Sequence, residues 1–224
     1  MEAAPGRLSR MSYHESRLPF DPRREVLWAT LCRHYFQRLV PPDATVLELG
    51  TGYGHFINNI RAARRIAVDT WPGMTDYVRP PVEARIASAT DLSWIPEQAV
   101  DFTFASNLFE HLAREDFLTV LAQVRSKLSP RGSVNILQPN YRYAYKEYFD
   151  DFTHISVYSA TGMCDLLVAN GWKVLECRPR FLPLTVKSQF PVSPLLIRLY
   201  LTSPVKPFGK QMFIRAAPDG STSR

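Results

Sequence analysis

The chain has 224 residues, of which 46% are hydrophobic and 21% are charged, a composition that fits one compact domain and excludes wholesale disorder. Its net charge of +6 is scattered, and no basic run is interleaved with aromatic residues, so we predict no nucleic-acid partner. Three separated cysteines, an N-terminus without an apolar core and the lack of any long apolar stretch predict a cytoplasmic protein with reduced thiols.

Short apolar runs alternate with amphipathic stretches along the chain. In the first half we predict a helix, a strand, a second helix and a second strand, at Arg24–Leu39, Thr45–Leu49, about Phe56–Arg64 and Arg65–Asp69. In the second half we predict strands at Val82–Ala87, Val100–Ala105, Ser133–Leu137, Trp172–Cys177 and Gln211–Ala216, and helices at Arg114–Leu128, Ala160–Asn170 and within Pro191–Leu201. Ser129–Gly132 has the composition of a turn. This order predicts an α/β sandwich with a mainly parallel seven-stranded sheet and helices on both faces.

The chain shows no internal repeat and no linker that would separate domains. We therefore predict a loose segment at 1–23, a single domain at 24–217 and a disordered tail at 218–224. Within the domain, about 139–158 and 180–210 are predicted to be inserts on the substrate side. The second insert mixes apolar and basic residues, which suits a peripheral membrane contact, a dimer surface or a lid over the core. Both a monomer and a homodimer agree with the sequence.

A glycine cluster follows the first predicted strand. Gly50-x-Gly52-x-Gly54 precedes a predicted helix, and glycine lets the backbone turn sharply and approach a ligand closely. Asp69 ends the second strand, where an acid can accept both hydroxyls of a ribose. Glu48 lies just before the first glycine and suits a positively charged ligand better than a pyrophosphate. The pattern favours a cationic nucleoside over NAD, and an ordinary tight turn with two surface acids is the alternative.

These residues together resemble the class I S-adenosylmethionine-dependent methyltransferases. The resemblance is carried, in chain order, by Val46–Gly54, Asp69, Asp91-Leu92, Val100–Leu112 and Leu128–Gly132. It implies a Rossmann-like methyltransferase sandwich and S-adenosyl-L-methionine as the cofactor. It also implies roles for individual residues: the methionine end at Gly50, Gly52 and Tyr53, the ribose at Asp69, the adenine at Asp91 and Leu92, and the sulfonium above Asn107. Tyr13 or Arg17 would close over the cofactor from the N-terminal segment, unless both belong to a flexible surface.

Two further segments, Gln138–Arg142 and Tyr148–His154, resemble small methyltransferases of bacterial surface-glycan biosynthesis. That resemblance implies O-methylation of a sugar in a glycan or glycan precursor. A phenol, a quinone or a secondary metabolite is the alternative acceptor. Two readings from other classes are an NAD(P)-binding oxidoreductase, for which the sequence lacks the expected Tyr-x-x-x-Lys, and a non-catalytic partner protein that keeps the fold.

The predicted catalytic group is a histidine that follows the fifth strand. An unperturbed histidine has a pKa of about 6.5, which suits a general base, so His154 is the best candidate, and Asp151, with Asp150, could orient its ring or stabilise its charged form. His111 is the second candidate, in Glu110-His111 at the expected start of the helix after the fourth strand. A structural histidine is the alternative in each case. We predict no metal at Asp150, Asp151 and His154, because hard cations prefer more oxygen ligands than these two carboxylates offer.

Overall fold

Seven strands form one sheet in the part of the chain that the structure, a computed structural model, describes: residues 19–183 and 192–220. The strands are β1 (Thr45–Leu49), β2 (Arg64–Asp69), β3 (Glu83–Ile86), β4 (Val100–Ser106), β5 (Leu128–Pro139), β6 (Trp172–Pro183) and β7 (Gly209–Pro218). Their order across the sheet is β3-β2-β1-β4-β5-β7-β6. Strands β1 to β5 pair in parallel, and β7 pairs antiparallel with β5 and β6. The predicted mainly parallel, seven-stranded sheet is confirmed.

Within residues 19–183 and 192–220, five helices and four 3₁₀ turns accompany the strands. The helices are α1 (Pro22–His34), α2 (Arg114–Lys127), α3 (Tyr141–Ala144), α4 (Ala160–Ala169) and α5 (Pro194–Thr202). The 3₁₀ turns are Phe36–Arg38, Pro72–Asp76, Phe109–His111 and Tyr148–Asp150. Among the described helices, none combines the length and the hydrophobicity that crossing a membrane requires.

The sheet separates two hydrophobic clusters, because successive side chains of a strand point to opposite faces. Leu47 and Leu49 of β1 belong to one cluster, together with residues of α2 and α4 such as Phe117 and Leu167. Val46 belongs to the other cluster, which contains buried residues of α1 and a group of phenylalanines. Helices therefore cover both faces, as the sequence predicts for an α/β sandwich.

The strand order changes direction at β1, because β2 and β3 lie on one side of β1 whereas β4 and β5 lie on the other. Strand β1 pairs with β2 on one side and with β4 on the other. In open parallel sheets the crevice outside the carboxyl ends of two such strands is the usual place for a ligand. The glycine cluster follows β1 at this edge, and Asn107 follows β4. The topology therefore places the predicted cofactor residues beside the predicted binding crevice.

The predicted helix at Phe56–Arg64 is wrong. Residues 55–59 form hydrogen-bonded turns, in which Asn58 N donates to Gly54 O and Ile60 N donates to Phe56 O. A side chain binds backbone carbonyls that would accept N–H groups if the helix continued. The Arg65 guanidinium donates to the carbonyls of Ile57 and Ile60, at 3.0 and 3.3 Å. The glycine cluster thus leads into a compact turn and not into a regular helix.

Other boundaries differ by less. The predicted turn at Ser129–Gly132 lies within β5, where the pairing register with β4 shifts between Val100 and Phe102. Glu110 and His111 lie in a 3₁₀ turn that ends before α2, so they do not start that helix. At the chain ends, α1 begins at Pro22 and β7 reaches Pro218.

The predicted insert at 180–210 is described except for residues 184–191. It contains the end of β6, helix α5 and the start of β7. One side of α5 packs on the core through Ile197, Tyr200 and Leu201, whereas Leu195, Leu196 and Leu199 are exposed. Contact of this segment with a membrane or a second copy of the chain stays a prediction. Tyr13 and Arg17, predicted to close over the cofactor, lie outside the described residues.

Candidate functional site

The glycine cluster adopts a backbone conformation that other residues rarely adopt. Gly50, Gly52 and Gly54 have φ angles of +68°, +53° and +68°. A Cβ atom added to Gly50 would lie 3.1 Å from Leu108 Cδ1, and one added to Gly54 would lie 2.9 Å from Asn58 Nδ2. There is no room for a side chain at these two positions, and the bare backbone is what is expected of a loop that approaches a ligand closely.

Asp69 lies at the carboxyl end of β2 and holds this loop. Its Oδ2 accepts a hydrogen bond from Gly52 N at 2.7 Å, and its Oδ1 accepts one from Trp71 N at 2.8 Å. Each carboxylate oxygen has a second lone pair that can accept from a ligand hydroxyl. Asp69 is thus a positioned acceptor at the edge of the crevice, where the sequence predicts the ribose site.

Glu48 lies beneath the loop and not on its surface. Its side chain is buried, and Oε2 accepts a hydrogen bond from Ile57 N at 3.2 Å. Burial raises the pKa of this carboxyl group well above its usual range, which favours the neutral form. The acid therefore joins the end of β1 to the turn after the glycine cluster, a supporting role that the residue type alone did not reveal.

Aromatic side chains surround Tyr53 at the mouth of the loop. The Tyr53 ring centroid lies 4.7 Å from that of Tyr77, 5.2 Å from that of Trp71 and 5.5 Å from that of Phe20. Sequence analysis singled out only Tyr53 of these four residues. Trp71 could have been noticed because it follows Asp69 by two positions, whereas Tyr77 and Phe20 carry no local motif.

Asn107 follows β4 in a left-handed conformation with φ of +50°, which asparagine tolerates better than most residues. Its backbone N donates to Leu137 O at 2.8 Å, and its Oδ1 accepts from Gln211 Nε2 at 2.9 Å. Residues of β5 and β7 therefore hold Asn107 at the carboxyl edge of the sheet. Gln211 is part of this site, and sequence analysis missed it because its position depends on the antiparallel pairing of β7.

The two residues predicted to frame an adenine differ in environment. Asp91 is exposed, and its Oδ1 accepts from Ser93 N at 3.1 Å. Leu92 is fully buried and belongs to the hydrophobic cluster that also contains Leu49 and Val68. The structure therefore leaves only Asp91 at the surface.

The structure brings the predicted catalytic residues together. The rings of His111 and His154 lie with their centroids 4.8 Å apart. Backbone hydrogen bonds join the two segments, because Ile155 N and Ser156 N both donate to Glu110 O, at 2.9 and 3.1 Å. We call Glu110, His111 and His154 the histidine cluster. Glu110 and His111 follow Asn107 by three and four positions, at the carboxyl edge of the sheet, and the backbone hydrogen bonds to Glu110 O bring His154 to the same edge.

Hydrogen bonds determine which nitrogen of each imidazole carries the proton. His154 Nδ1 lies 2.6 Å from Tyr148 O, and since a carbonyl can only accept, this nitrogen donates. His111 Nδ1 lies 2.9 Å from Thr153 Oγ1, and that hydroxyl in turn donates to Asp151 Oδ1 at 2.6 Å. Both neutral rings therefore carry their lone pair on Nε2. Asp151 reaches His111 through Thr153, and no hydrogen bond joins it to His154, whose ring the sequence predicted it to orient.

Charge in the histidine cluster is shaped by burial. Burial lowers the pKa of His111, and the neighbouring His154 adds to this shift. Burial raises the pKa of Glu110 to about 8. Burial also opposes ionisation of Asp151, but hydrogen bonds from Thr153 and the two nearby histidines outweigh it and hold the pKa of Asp151 below its usual range. Asp151 is therefore ionised, and the neutral form of His111 is favoured.

Aromatic residues follow β5 beside the histidine cluster. Tyr148 is buried under His154, with ring centroids 4.7 Å apart, and its hydroxyl donates to Ser156 O. The side chains of Tyr145, Phe149 and Phe152 are exposed. Arg142, Lys146 and Asp150 also lie on the surface of this segment. The structure therefore places one aromatic residue in the core of the site and leaves several others available to a ligand.

A sequence model described as a methyltransferase domain matches residues 23–177, which is more than half of the chain. The chain belongs to this methyltransferase family. No curated protein matches the methyltransferase significantly by sequence. The predicted enzyme class, a class I S-adenosylmethionine-dependent methyltransferase, is confirmed, and the NAD(P)-binding alternative is not supported.

Solved structures share the fold of the methyltransferase at low sequence identity. An Archaeoglobus fulgidus SAM-dependent methyltransferase is 23% identical, with a TM-score of 0.62 over 86% of this chain and 93% of the other. A chain of the Haloferax volcanii complex between the Trm112 methyltransferase activator and a methyltransferase is 15% identical, with a TM-score of 0.66 over 88% and 92%. Geranyl diphosphate C-methyltransferase from Streptomyces coelicolor, solved with Mg²⁺, geranyl diphosphate and S-adenosyl-L-homocysteine, is 14% identical, with a TM-score of 0.59 over 85% and 76%.

The residues at the crevice fit the cofactor of the family, S-adenosylmethionine. The bare glycine backbone leaves room for close approach, and the Asp69 carboxylate is positioned to accept from hydroxyl groups. Both features lie at the carboxyl ends of β1 and β2, where this fold binds ligands. The cofactor is that of the family, and the assignment of single residues to its parts stays a prediction.

Proposed function

We propose that this methyltransferase transfers the methyl group to a hydroxyl oxygen, and that the acceptor is a sugar in a glycan or glycan precursor. The observation that carries the proposal is the histidine cluster next to Asn107. His154 Nδ1 is bound to Tyr148 O, which leaves the lone pair of Nε2 for the role of a base. A hydroxyl is a weak nucleophile until its proton is removed, so this acceptor class needs such a group.

In this proposal the glycine cluster and Asp69 hold the cofactor. Gly50, Gly52 and Tyr53 lie at the methionine end, Asp69 accepts from the ribose hydroxyls, and Asp91 lies at the adenine. Glu48 acts from below by fixing the turn at Ile57. Asn107, held by Leu137 and Gln211, lies at the reacting end of the crevice.

When bound, S-adenosylmethionine supplies a methyl group on a positively charged sulfur, and the new oxygen–carbon bond forms as the carbon–sulfur bond breaks. The protein must align the acceptor oxygen with that methyl group and exclude water. His154 accepts the proton of the hydroxyl at Nε2, while Nδ1 keeps its hydrogen bond to Tyr148 O. His111 is hydrogen-bonded through Thr153 to Asp151. In this proposal it stabilises the positive charge on His154 only weakly, and its main role is to position the His154 ring.

Two features beside the histidine cluster suit a sugar. Exposed aromatic rings such as Phe149 and Phe152 offer flat apolar faces against which a sugar ring can pack. Gln138, at the carboxyl end of β5, is fully buried, and its amide has no hydrogen-bond partner among the described residues. Buried amides are nearly always paired, so this one is suited to hydroxyl groups of a ligand. A phenol offers one hydroxyl to this amide, whereas a sugar offers several.

The test is methyl transfer from isotopically labelled S-adenosylmethionine to two panels of acceptors. One panel contains nucleotide-linked and lipid-linked sugars, and the other contains phenols and quinones. We expect labelled product from the sugar panel, with label on oxygen. Replacement of Gln138 by Leu, which keeps the size but removes the amide, should raise KM for the sugar at least tenfold.

Phe149→Leu serves as the matched control for an exposed ring at the acceptor surface, with a smaller expected rise in KM than Gln138→Leu. Product from the phenol panel alone would contradict the sugar assignment and leave the O-methyltransferase proposal in place. Transfer to a nitrogen or carbon acceptor alone would contradict both.

A further inference from the structure

Glu110, His111 and His154 bring a carboxylate and two imidazoles to one point beside the crevice. One ligand atom from each side chain lies within 4.8 Å of the others. Two imidazole nitrogens and a carboxylate oxygen are a donor set that divalent transition metals favour, and three protein ligands leave coordination positions open. We infer that the histidine cluster binds one divalent transition-metal ion, of the class that includes Zn²⁺, Mn²⁺ and Co²⁺.

The Glu110 carboxylate points most directly to a bound cation. Its side chain is fully buried, and neither Oε1 nor Oε2 has a hydrogen-bond partner among the described residues. A buried carboxylate without a partner costs several kcal/mol, and native proteins rarely keep one without a use for it. A divalent ion shared with the two imidazoles would supply the missing counter-charge.

The outer hydrogen bonds of both imidazoles are those of metal-bound histidines. Such histidines commonly donate their second ring N–H to a carbonyl or carboxylate, which orients the ring and leaves the other nitrogen for the metal. His154 Nδ1 donates to Tyr148 O, and His111 Nδ1 donates to Thr153 Oγ1, which is itself bound to Asp151. Nε2 of each ring is therefore the ligand nitrogen, and the Asp151 charge supports one of the two ligands.

The dimensions of the cluster fit an ion after a small closure. Ligand atoms about 2.1 Å from a shared ion lie about 3–3.5 Å from one another, so the widest separation, up to 4.8 Å here, must shorten by about 1.3–1.8 Å. His111 and His154 are half-buried, and Glu110 is fully buried beside them. Asp150, which sequence analysis considered as a ligand, lies on the exposed side of the segment and outside the cluster.

This inference rests on the proposed function and refines it. An ion at the histidine cluster would bind the acceptor oxygen at an open position and lower the pKa of its hydroxyl, so the proton could leave to solvent. His154 would then contribute as a ligand, in place of accepting the proton itself. The two forms of activation make the same methylated product but differ in their need for a metal.

The experiment is a titration of the metal-free full chain with Co²⁺, followed by visible absorption, and with Zn²⁺, followed by calorimetry. We expect one equivalent to bind, with visible cobalt bands typical of nitrogen and oxygen ligands. Glu110→Gln and His154→Ala should each weaken binding at least tenfold. Glu110→Gln keeps the size of the side chain and replaces a buried carboxyl group with a neutral amide, so it should remain folded.

Matched controls separate the site from the rest of the surface. Glu115→Gln makes the same change on an exposed side chain in the first turn of α2, and His34→Ala removes a histidine from the last turn of α1. Both controls should bind Co²⁺ as the unmodified chain does. All four variants should bind S-adenosylhomocysteine normally, which shows that the fold is intact.

Three results would overturn the inference. The folded chain could bind neither ion, or Glu110→Gln and His154→Ala could bind the ions as tightly as the unmodified chain does. The third is a thiolate-to-cobalt absorption band that is unaltered in those variants, which would assign the ion to cysteines. None of these results alone contradicts the proposed O-methyltransferase function. If the metal-free protein methylates its acceptor and His154→Ala does not, the O-methyltransferase proposal stands with His154 as the base.

Discussion

His111 and His154 lie edge to face, with their ring centroids 4.8 Å apart, on segments that follow two neighbouring parallel strands. The contact exists because β4 and β5 end at the same edge of the sheet, and because Ile155 N and Ser156 N are bound to Glu110 O. It brings the two histidines that we propose as catalytic into one place. The activity expected of the site follows from this contact.

Replacement of His154 by Ala should reduce turnover at least a hundredfold, because it removes the group that activates the acceptor hydroxyl, as base or as ligand. Affinity for S-adenosylhomocysteine should not change, since no contact links His154 to the glycine cluster. Steady-state kinetics and calorimetry on the same preparation measure the two quantities. His34→Ala is the control, and an unaltered rate in His154→Ala would remove the residue from the mechanism.

Gly50 should not tolerate a side chain. Gly50→Ala forces an alanine into a left-handed conformation, which costs about 1–2 kcal/mol, and places its Cβ 3.1 Å from Leu108. We expect a lower unfolding free energy and weaker binding of S-adenosylhomocysteine. Gly220→Ala is the control, because a Cβ there would meet nothing within 4 Å. Equal stability of the two variants would show that the loop has another conformation.

Phe56 should anchor the turn that replaces the predicted helix. Its ring stacks on Phe104 with centroids 4.0 Å apart, and its side chain is almost fully buried. Phe56→Ala should lower the unfolding free energy by about 3–5 kcal/mol, as measured by urea denaturation. Phe152→Ala, in which the ring removed is 76% exposed, should change it by less than about 0.5 kcal/mol. Similar losses in both variants would contradict this packing.

Asp101 should stabilise the fold in a pH-dependent way. Burial alone raises the pKa of Asp101, but hydrogen bonds from Thr45 N, Arg131 and Ser129 outweigh it and hold that pKa below 3.8. The stabilisation is therefore present above pH 3.8 and is lost as the pH falls through the folded-state pKa. Asp101→Asn should cost about 1–2 kcal/mol at pH 7 and less at pH 3.

Urea denaturation at the two pH values measures this difference. Asp43→Asn is the matched control, because Asp43 contacts the same Arg131 from an exposed position, where ion pairs contribute about 0–1 kcal/mol. A cost for Asp101→Asn that is the same at pH 3 and pH 7 would assign its effect to packing and not to charge.

Periodic patterns and local motifs were enough to predict the sheet, its parallel character and the glycine cluster. Each of these depends on neighbours in sequence, as with the apolar run at Thr45–Leu49 and the glycines that follow it. The failures depend on partners far along the chain. The helix predicted from Phe56 is replaced by a turn because Arg65 binds its carbonyls, and a pattern of apolar residues cannot show that contact.

The candidate site was predicted in the same uneven way. His154 and His111 stood out by their chemistry, whereas Glu110 did not, because a carboxylate beside a histidine is usually a surface residue. Only the structure shows that Glu110 is buried without a hydrogen-bond partner among the described residues. Gln211 was missed for a similar reason, and Gln138 was noticed only as part of a resembling segment, since the β5–β7 pairing determines where both side chains lie.

The cofactor site is tested most directly by calorimetric titration with S-adenosylhomocysteine, comparing the unmodified chain with Asp69→Ala and with Asp76→Ala, an exposed acid in the 3₁₀ turn at Pro72–Asp76. We expect micromolar binding to the unmodified chain and to Asp76→Ala. Binding should be lost in Asp69→Ala, because that carboxylate holds Gly52 and is proposed to accept from the ribose. Equal binding by all three proteins, or no binding by the folded unmodified chain, would contradict the cofactor site described above.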